Sequence, residues 1–275
     1  IAGAMYKGKL WFRVPHTIGI TVKGDFKEHV TAKDLILYIV KNIGTSGALN
    51  KAIEFTGVTI HKMNLAERIT VASMVTEMSG DVGFILPDRR VVDYISSRIG
   101  EEATSLDMDV NAEYERVYEF IVDDLEPQIA CPHAPDNVKD VKDVAGKRVD
   151  QVFIGSCTNG RIEDLEVAAR FLKGRTIKNG LRLIIVPATM ETARAAVRSG
   201  LHEIFLASGA VVTNPGCALC TTGHPGILAQ GEVMVSTSNR NFVGKLGKGA
   251  EVYLVSPATA AATALNGEIT DPRSI

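Results

Sequence analysis

QVFIGSCTNGRIEDLEVAARFL, residues 151–172, holds one full period of a recognisable architecture. Residues 151–154 form an apolar run of strand length, GSCTNGR (155–161) is a polar loop, and apolar residues then return at helical spacing over 162–172. The period recurs. LIIV (183–186) is followed by a helix around 193–197, and 210–212, 233–235 and 252–255 read as further buried strands. Strands alternating with helices predict an α/β domain with a largely parallel sheet.

Polar motifs fall at one end of these strands. Cys157 follows the first, Cys217 the third, Asn239 and Arg240 the fourth, and Ser256 the fifth. In open α/β sheets ligands bind beyond the carboxyl ends of the strands, so these motifs are expected to converge.

The first half mixes periods. Ile18, Ile20 and Val22 alternate as in a strand, and Thr31 with Asp34 forms a cap before a helix carrying Leu35, Ile36, Ile39 and Val40. A short strand is expected at 52–55. Asn64 with Glu67 caps a helix expected to stop near Gly80, Asp88 opens another, and 115–122 alternates again. The proline-bearing stretch EPQIACPHAPDNV (126–138) reads as a crossing between domains, which divides the chain into 1–127 and 128–275.

A formal charge of −2 over 275 residues provides no basic field for nucleic acid, which leaves small molecules or proteins as partners. No apolar run reaches the roughly 20 residues of a membrane span, and no secretory leader is visible, so a cytoplasmic protein is expected. IAGAMYKGKLWFRVP (1–15) reads as the end of a helix running into a strand, with residues missing ahead of it.

Four cysteines do not make a disulfide scaffold in a chain of this size. Cys217 and Cys220 form NPGCALC, where Pro and Gly let the backbone curl so that two sulfurs face one point; Cys157 is the natural third thiol. Three chemistries compete. A zinc staple would use Cys157, Cys217, Cys220 and His224. A redox dithiol would use Cys217 and Cys220, although Asn-Pro-Gly ahead of the pair speaks against it. An iron–sulfur cluster with three protein ligands would leave one iron open. Cys131 reads as an inert buried thiol.

FIGSCTNGR, NPGCALC and STSNRNFVGK, in this order, resemble the signature segments of the aconitase family, and within it the 3-isopropylmalate dehydratase and homoaconitase large subunits. The likeness extends more weakly through KLWFRVP and ITVASMVTEMSG to SPATAAATALNGEITDPRSI. It implies two α/β domains of the aconitase type, with 1–15 as the tail of a preceding domain. It also implies a 4Fe-4S cluster on Cys157, Cys217 and Cys220.

The implied activity is a hydro-lyase that isomerises a hydroxy dicarboxylic acid, first of all 3-isopropylmalate, with homoaconitase or dimethylmalate dehydratase chemistry as the alternative. Such chemistry needs a Lewis acid for the leaving oxygen, a base for a carbon-bound proton, and cations for the carboxylates. By resemblance Glu77 belongs to the active site; Arg240 and Lys245 can supply the cations, and Asn159 and Asn239 either orient cluster or substrate or hold their own turns, the turn reading coming first for Asn159. Two positions depart from the family pattern: Lys245 stands where arginine is usual, and Ser73 where asparagine is usual. The resemblance also implies a partner, a small subunit carrying a swivelling domain, without which the chain should be inactive. The rival class is a non-catalytic binding module stapled by zinc.

Overall fold

A computed structural model describes residues 1–105, 109, 111–216 and 225–275. Two sheets form among them. The first comprises β1 (His16–Lys23), β2 (Lys51–Thr56), β3 (Val82–Ile85) and β4 (Arg116–Ile121), all parallel, in the order β3-β2-β1-β4. The second comprises β5 (Gln128–Ala130), β6 (Val138–Asp140), β7 (Gln151–Gly155), β8 (Arg182–Val186), β9 (Val211–Val212), β10 (Val233–Ser236) and β11 (Glu251–Leu254). Its order is β6-β5-β11-β10-β7-β8-β9, with β5 and β6 antiparallel at one edge and the other five parallel.

The predicted α/β class is the observed one. Both capping boxes form: Asp34 Oδ2 accepts from Thr31 N at 2.8 Å ahead of helix Ala32–Ile43, and Asn64 exchanges bonds with Glu67 ahead of helix Leu65–Ser73. Asp88 caps Arg89–Ile99. The periodic stretch after Asn64 departs from expectation, because the α-helix ends at Ser73 and tightens into a 3-10 turn, Met74–Met78. β3 presses on that end, so closely that a Cβ on Gly83 would lie 2.8 Å from the Ala72 carbonyl oxygen.

Residues 126–138 are more than a crossing. They contribute β5, whose Gln128 N–H donates to Asp34 Oδ1 at 2.8 Å and whose Ala130 pairs with Leu254. At 210–212 a buried strand was expected, but only the two-residue edge strand β9 forms, with Val211 60% exposed. Ahead of it runs helix Leu201–Ser208, which the reading of the sequence did not foresee.

Helix Ala32–Ile43 lies between the sheets. Leu35, Ile36, Leu37, Ile39 and Val40 are each fully buried, and each such burial stabilises by about 1.5–3 kcal/mol. The period-2 alternation of the second sheet divides its side chains between two cores. Phe153, Ile184 and Met234 join the core around this helix, whereas Val152, Ile154 and Val235 pack in the core that holds helices Ile162–Leu172 and Pro257–Asn266. From β7 the chain winds through β8 to β9 on one side, and β10 and β11 return on the other. The strand order therefore reverses between neighbours β7 and β10, the place where doubly wound sheets open a crevice. Among the described residues no helix is long and apolar enough to cross a membrane.

Two outcomes follow from the polar ties in this frame. Asp34→Ala strips acceptors from the Thr31 and Gln128 amides inside the core, and urea unfolding should show a loss of about 2–5 kcal/mol with an unchanged m-value. Glu126, beside the Arg273 guanidinium at 2.7 Å, has its carboxyl pKa held down at about 2 from 4.5, first by Arg273 and against the opposing effect of burial. A folded-state pKa below the unfolded value stabilises above pH 4.5 and loses that contribution as pH falls towards 2. Glu126→Gln should therefore flatten the acid limb of stability against pH over that window.

Candidate active site

The crevice between the ends of β7 and β10 is a cleft of about 220 Å³ lined by Thr76, Glu77, Ser156, Cys157 and Ser238–Arg240, with Lys245 completing it. Cys157 reaches it through a sharp exit from β7. Gly155 has φ 144°, and a Cβ there would lie 2.1 Å from the Val186 carbonyl oxygen; only glycine fits. Ser156 follows at φ 72°, an unfavourable left-handed conformation for a residue with a side chain, and opens the single turn Ser156–Asn159. The result is an exposed thiol at the cleft, in no disulfide among the described residues.

The loop after β10 forms the opposite wall. Thr237 Oγ1 accepts from Gly155 N at 2.9 Å, and Thr237 N donates to Phe153 O, which ties the two strand exits together. Asn239 Nδ2 donates to Thr158 Oγ1 at 3.0 Å. Arg240 Nε donates to Glu77 Oε1 at 2.8 Å. Glu77, in the 3-10 turn Met74–Met78, is 2% exposed at its side chain while Arg240 is 47% exposed. The carboxylate thus anchors one edge of the guanidinium and leaves much of the rest to solvent. The Lys245 pKa is lowered, first by burial and then by Arg240, with Glu77 opposing.

Two cations and one carboxylate in a small cleft leave a net positive field. That field suits an anionic ligand.

The structure brings Cys157, Glu77, Asn239, Arg240 and Lys245 together. Asn159 stands apart from the cleft: its Nδ2 donates to Asp164 Oδ1 at 3.0 Å and Thr70 Oγ1 at 3.3 Å behind the wall. Cys217, Cys220 and His224 lie outside the described residues, and among the described residues no three His, Cys, Asp or Glu side chains gather as a metal site. An exposed soft donor at a cationic cleft fits one corner of the implied cluster. Cys131 is buried, and burial pushes its thiol pKa up, as an inert thiol requires.

Two residues escaped sequence reasoning. Lys33 is 1% exposed, and its Nζ donates to the Thr237 carbonyl at 3.1 Å, the Ser238 carbonyl at 2.9 Å and Asn239 Oδ1 at 3.2 Å. Burial pulls its pKa down to about 7, while Glu77, Asp164 and Asp34 act to raise it. Its signal was available: Lys33 precedes Ile36 and Leu37 by three and four positions, inside the apolar face of its helix, and a cation in a helix's first turn opposes the macrodipole. Thr158 offered no such signal. It is 1% exposed, and its hydroxyl accepts from Asn239, meets Ser73 Oγ at 3.3 Å and lies 3.8 Å from Cys157 Sγ. Thr158→Val keeps the shape but orphans the Asn239 amide. Chemical denaturation should register a loss of about 1–3 kcal/mol.

Comparison with known proteins agrees with this geometry. The profile of the aconitase family (aconitate hydratase) matches residues 1–267. A probable methanogen homoaconitase large subunit from Methanosarcina mazei is 48% identical, over 98% of this chain and 68% of its own length. A probable 3-isopropylmalate dehydratase large subunit from Methanothermobacter thermautotrophicus is also 48% identical, over 98% of this chain and 64% of its own. The 3-isopropylmalate dehydratase large subunit of Halothermothrix orenii is 44% identical, over 100% of this chain and 66% of its own. The chain thus spans about two thirds of the length of these relatives. With the profile covering both sheets and the whole cleft, the chain belongs to the aconitase family.

Proposed function

We propose that this chain is the cluster-bearing part of the large subunit of a hydro-lyase that isomerises a hydroxy dicarboxylic acid by dehydration and rehydration, with 3-isopropylmalate as its substrate. The observation that carries the reading is the convergence of an exposed Cys157 with Arg240, Glu77 and Lys245 at the switch point of the second sheet. Homoaconitase is the second reading, because a relative of that name is as similar to the chain, at 48% identity, as the dehydratase is.

Cys157, Cys217 and Cys220 would hold a 4Fe-4S cluster, which when bound supplies the Lewis acid for the departing hydroxyl. The rest is work for side chains. The free edge of the Arg240 guanidinium meets one substrate carboxylate, with Glu77 fixing the plane of that guanidinium through Nε. Lys245 offers a second, point-like charge, and an anion beside it would restore the proton affinity that burial and Arg240 lower. Asn239 donates to Thr158 and so braces the wall beside Cys157. Asn159 serves the site from behind by holding the turn Ser156–Asn159 against Thr70 and Asp164.

On this reading the units 1–127 and 128–275 are the second and third domains of a longer cytoplasmic subunit. Activity needs the preceding domain and a small subunit carrying a swivelling domain. The zinc-stapled module makes the opposite prediction about metal.

Full-length protein purified without oxygen should be brown, with broad absorption near about 400 nm, iron and sulfide, and Cys157→Ala should bleach it. Assembled with its small subunit it should dehydrate 3-isopropylmalate faster than homocitrate, the reverse order favouring the homoaconitase reading. Colourless protein with stoichiometric zinc would overturn the cluster.

A further inference from the structure

Lys33 stands out among the buried polar groups of the molecule. It comes from the first unit, on the helix between the sheets, yet all three of its hydrogen-bond acceptors belong to the loop after β10 in the second. Two of them are consecutive backbone carbonyls, Thr237 and Ser238, turned towards one point. Carbonyl dipoles converging in a dry interior repel one another, and the ammonium removes that repulsion. The third acceptor is Asn239 Oδ1, and a lysine can only donate. The Asn239 amide therefore has one allowed orientation, with Nδ2 towards Thr158. The next residue in the chain is Arg240.

We propose that Lys33 is a positioning residue for carboxylate recognition: by gathering the Thr237 and Ser238 carbonyls and the Asn239 side chain, it sets where Arg240 meets an anionic substrate. This rests on the reading of the cleft as the substrate site and adds a residue outside it. Lys33 does not line the cleft around Cys157. It acts through the turn alone. Glu77 holds the Arg240 guanidinium through Nε, and Lys33 holds the three residues that lead into Arg240, so side chain and approach are each fixed by a residue far away in sequence.

The test uses the holoenzyme, with full-length chain, cluster and small subunit present, and compares Lys33→Met, Arg240→Ala and the double variant with 3-isopropylmalate as substrate. Lys33→Met should raise KM roughly 10-fold with kcat changed by less than about 3-fold, as expected when binding common to ground and transition states is removed. In the Arg240→Ala background the same substitution should raise KM by less than about 2-fold, because residues acting as one unit are not additive. Hydrogen exchange supplies a readout independent of activity: amides of 237–240 should exchange faster in Lys33→Met while those of β10 keep their protection.

Equal effects of Lys33→Met with and without Arg240, or unchanged KM and exchange in a folded variant, would overturn the proposal. If Lys33→Met does not fold, Lys33→Gln retains two donors and replaces it; failure of both to fold makes Lys33 a folding determinant and also overturns the positioning role. A wild-type KM in Arg240→Ala would instead sink the reading of the substrate site.

Discussion

A helix whose first turn is wholly buried must settle its polar start inside the protein, and much of this molecule is arranged around that requirement. Helix Ala32–Ile43 begins between two sheets, with Lys33 and Asp34 both buried. Asp34 closes the cap with Thr31 and also accepts the Gln128 amide that launches the second sheet. Lys33, its neighbour, reaches in another direction and holds the loop after β10. One helical turn thereby fixes both where the second sheet starts and how one wall of its cleft is shaped. Without these partners each charge would face a desolvation penalty on the order of several kcal/mol.

That division of labour explains what could be read from the sequence. Elements specified by neighbours a few residues apart were legible: the caps at Thr31, Asn64 and Asp88, the helix Ile162–Leu172, and the buried runs of β7, β8, β10 and β11. Elements specified across the fold were not. β5 pairs with nearby β6, but what joins that pair to the sheet is Leu254, more than a hundred residues from Ala130. The reduction of 210–212 to an edge strand depends on β8 being its one neighbour in the sheet. For the site, the motif residues Cys157, Asn239 and Arg240 could be picked out by chemistry and place, whereas Thr158 draws its role from Asn239 and Ser73, partners about eighty residues away on either side.

The cleft is assembled from both halves of the chain. Glu77 comes from the first half of the chain, Cys157 and Arg240 from the second, and the ion pair between Glu77 and Arg240 joins the two with one partner shielded and the other open. Such asymmetry has a use. The shielded carboxylate holds direction, and the open guanidinium keeps hydrogen-bonding capacity for an incoming anion. Ser73 sits one turn ahead of Glu77, and its hydroxyl meets Thr158 behind the cleft.

The exit from β7 also bears on the entropy of binding at Cys157. Gly155 packs against the Val186 carbonyl and Ser156 takes up a left-handed bend, so the path of the backbone into Cys157 is set by strand packing. On the proposed reading, a thiol carried by so constrained a backbone would surrender little further backbone freedom on binding a metal. Much of the ordering entropy for such a ligand would be met when the sheet folds.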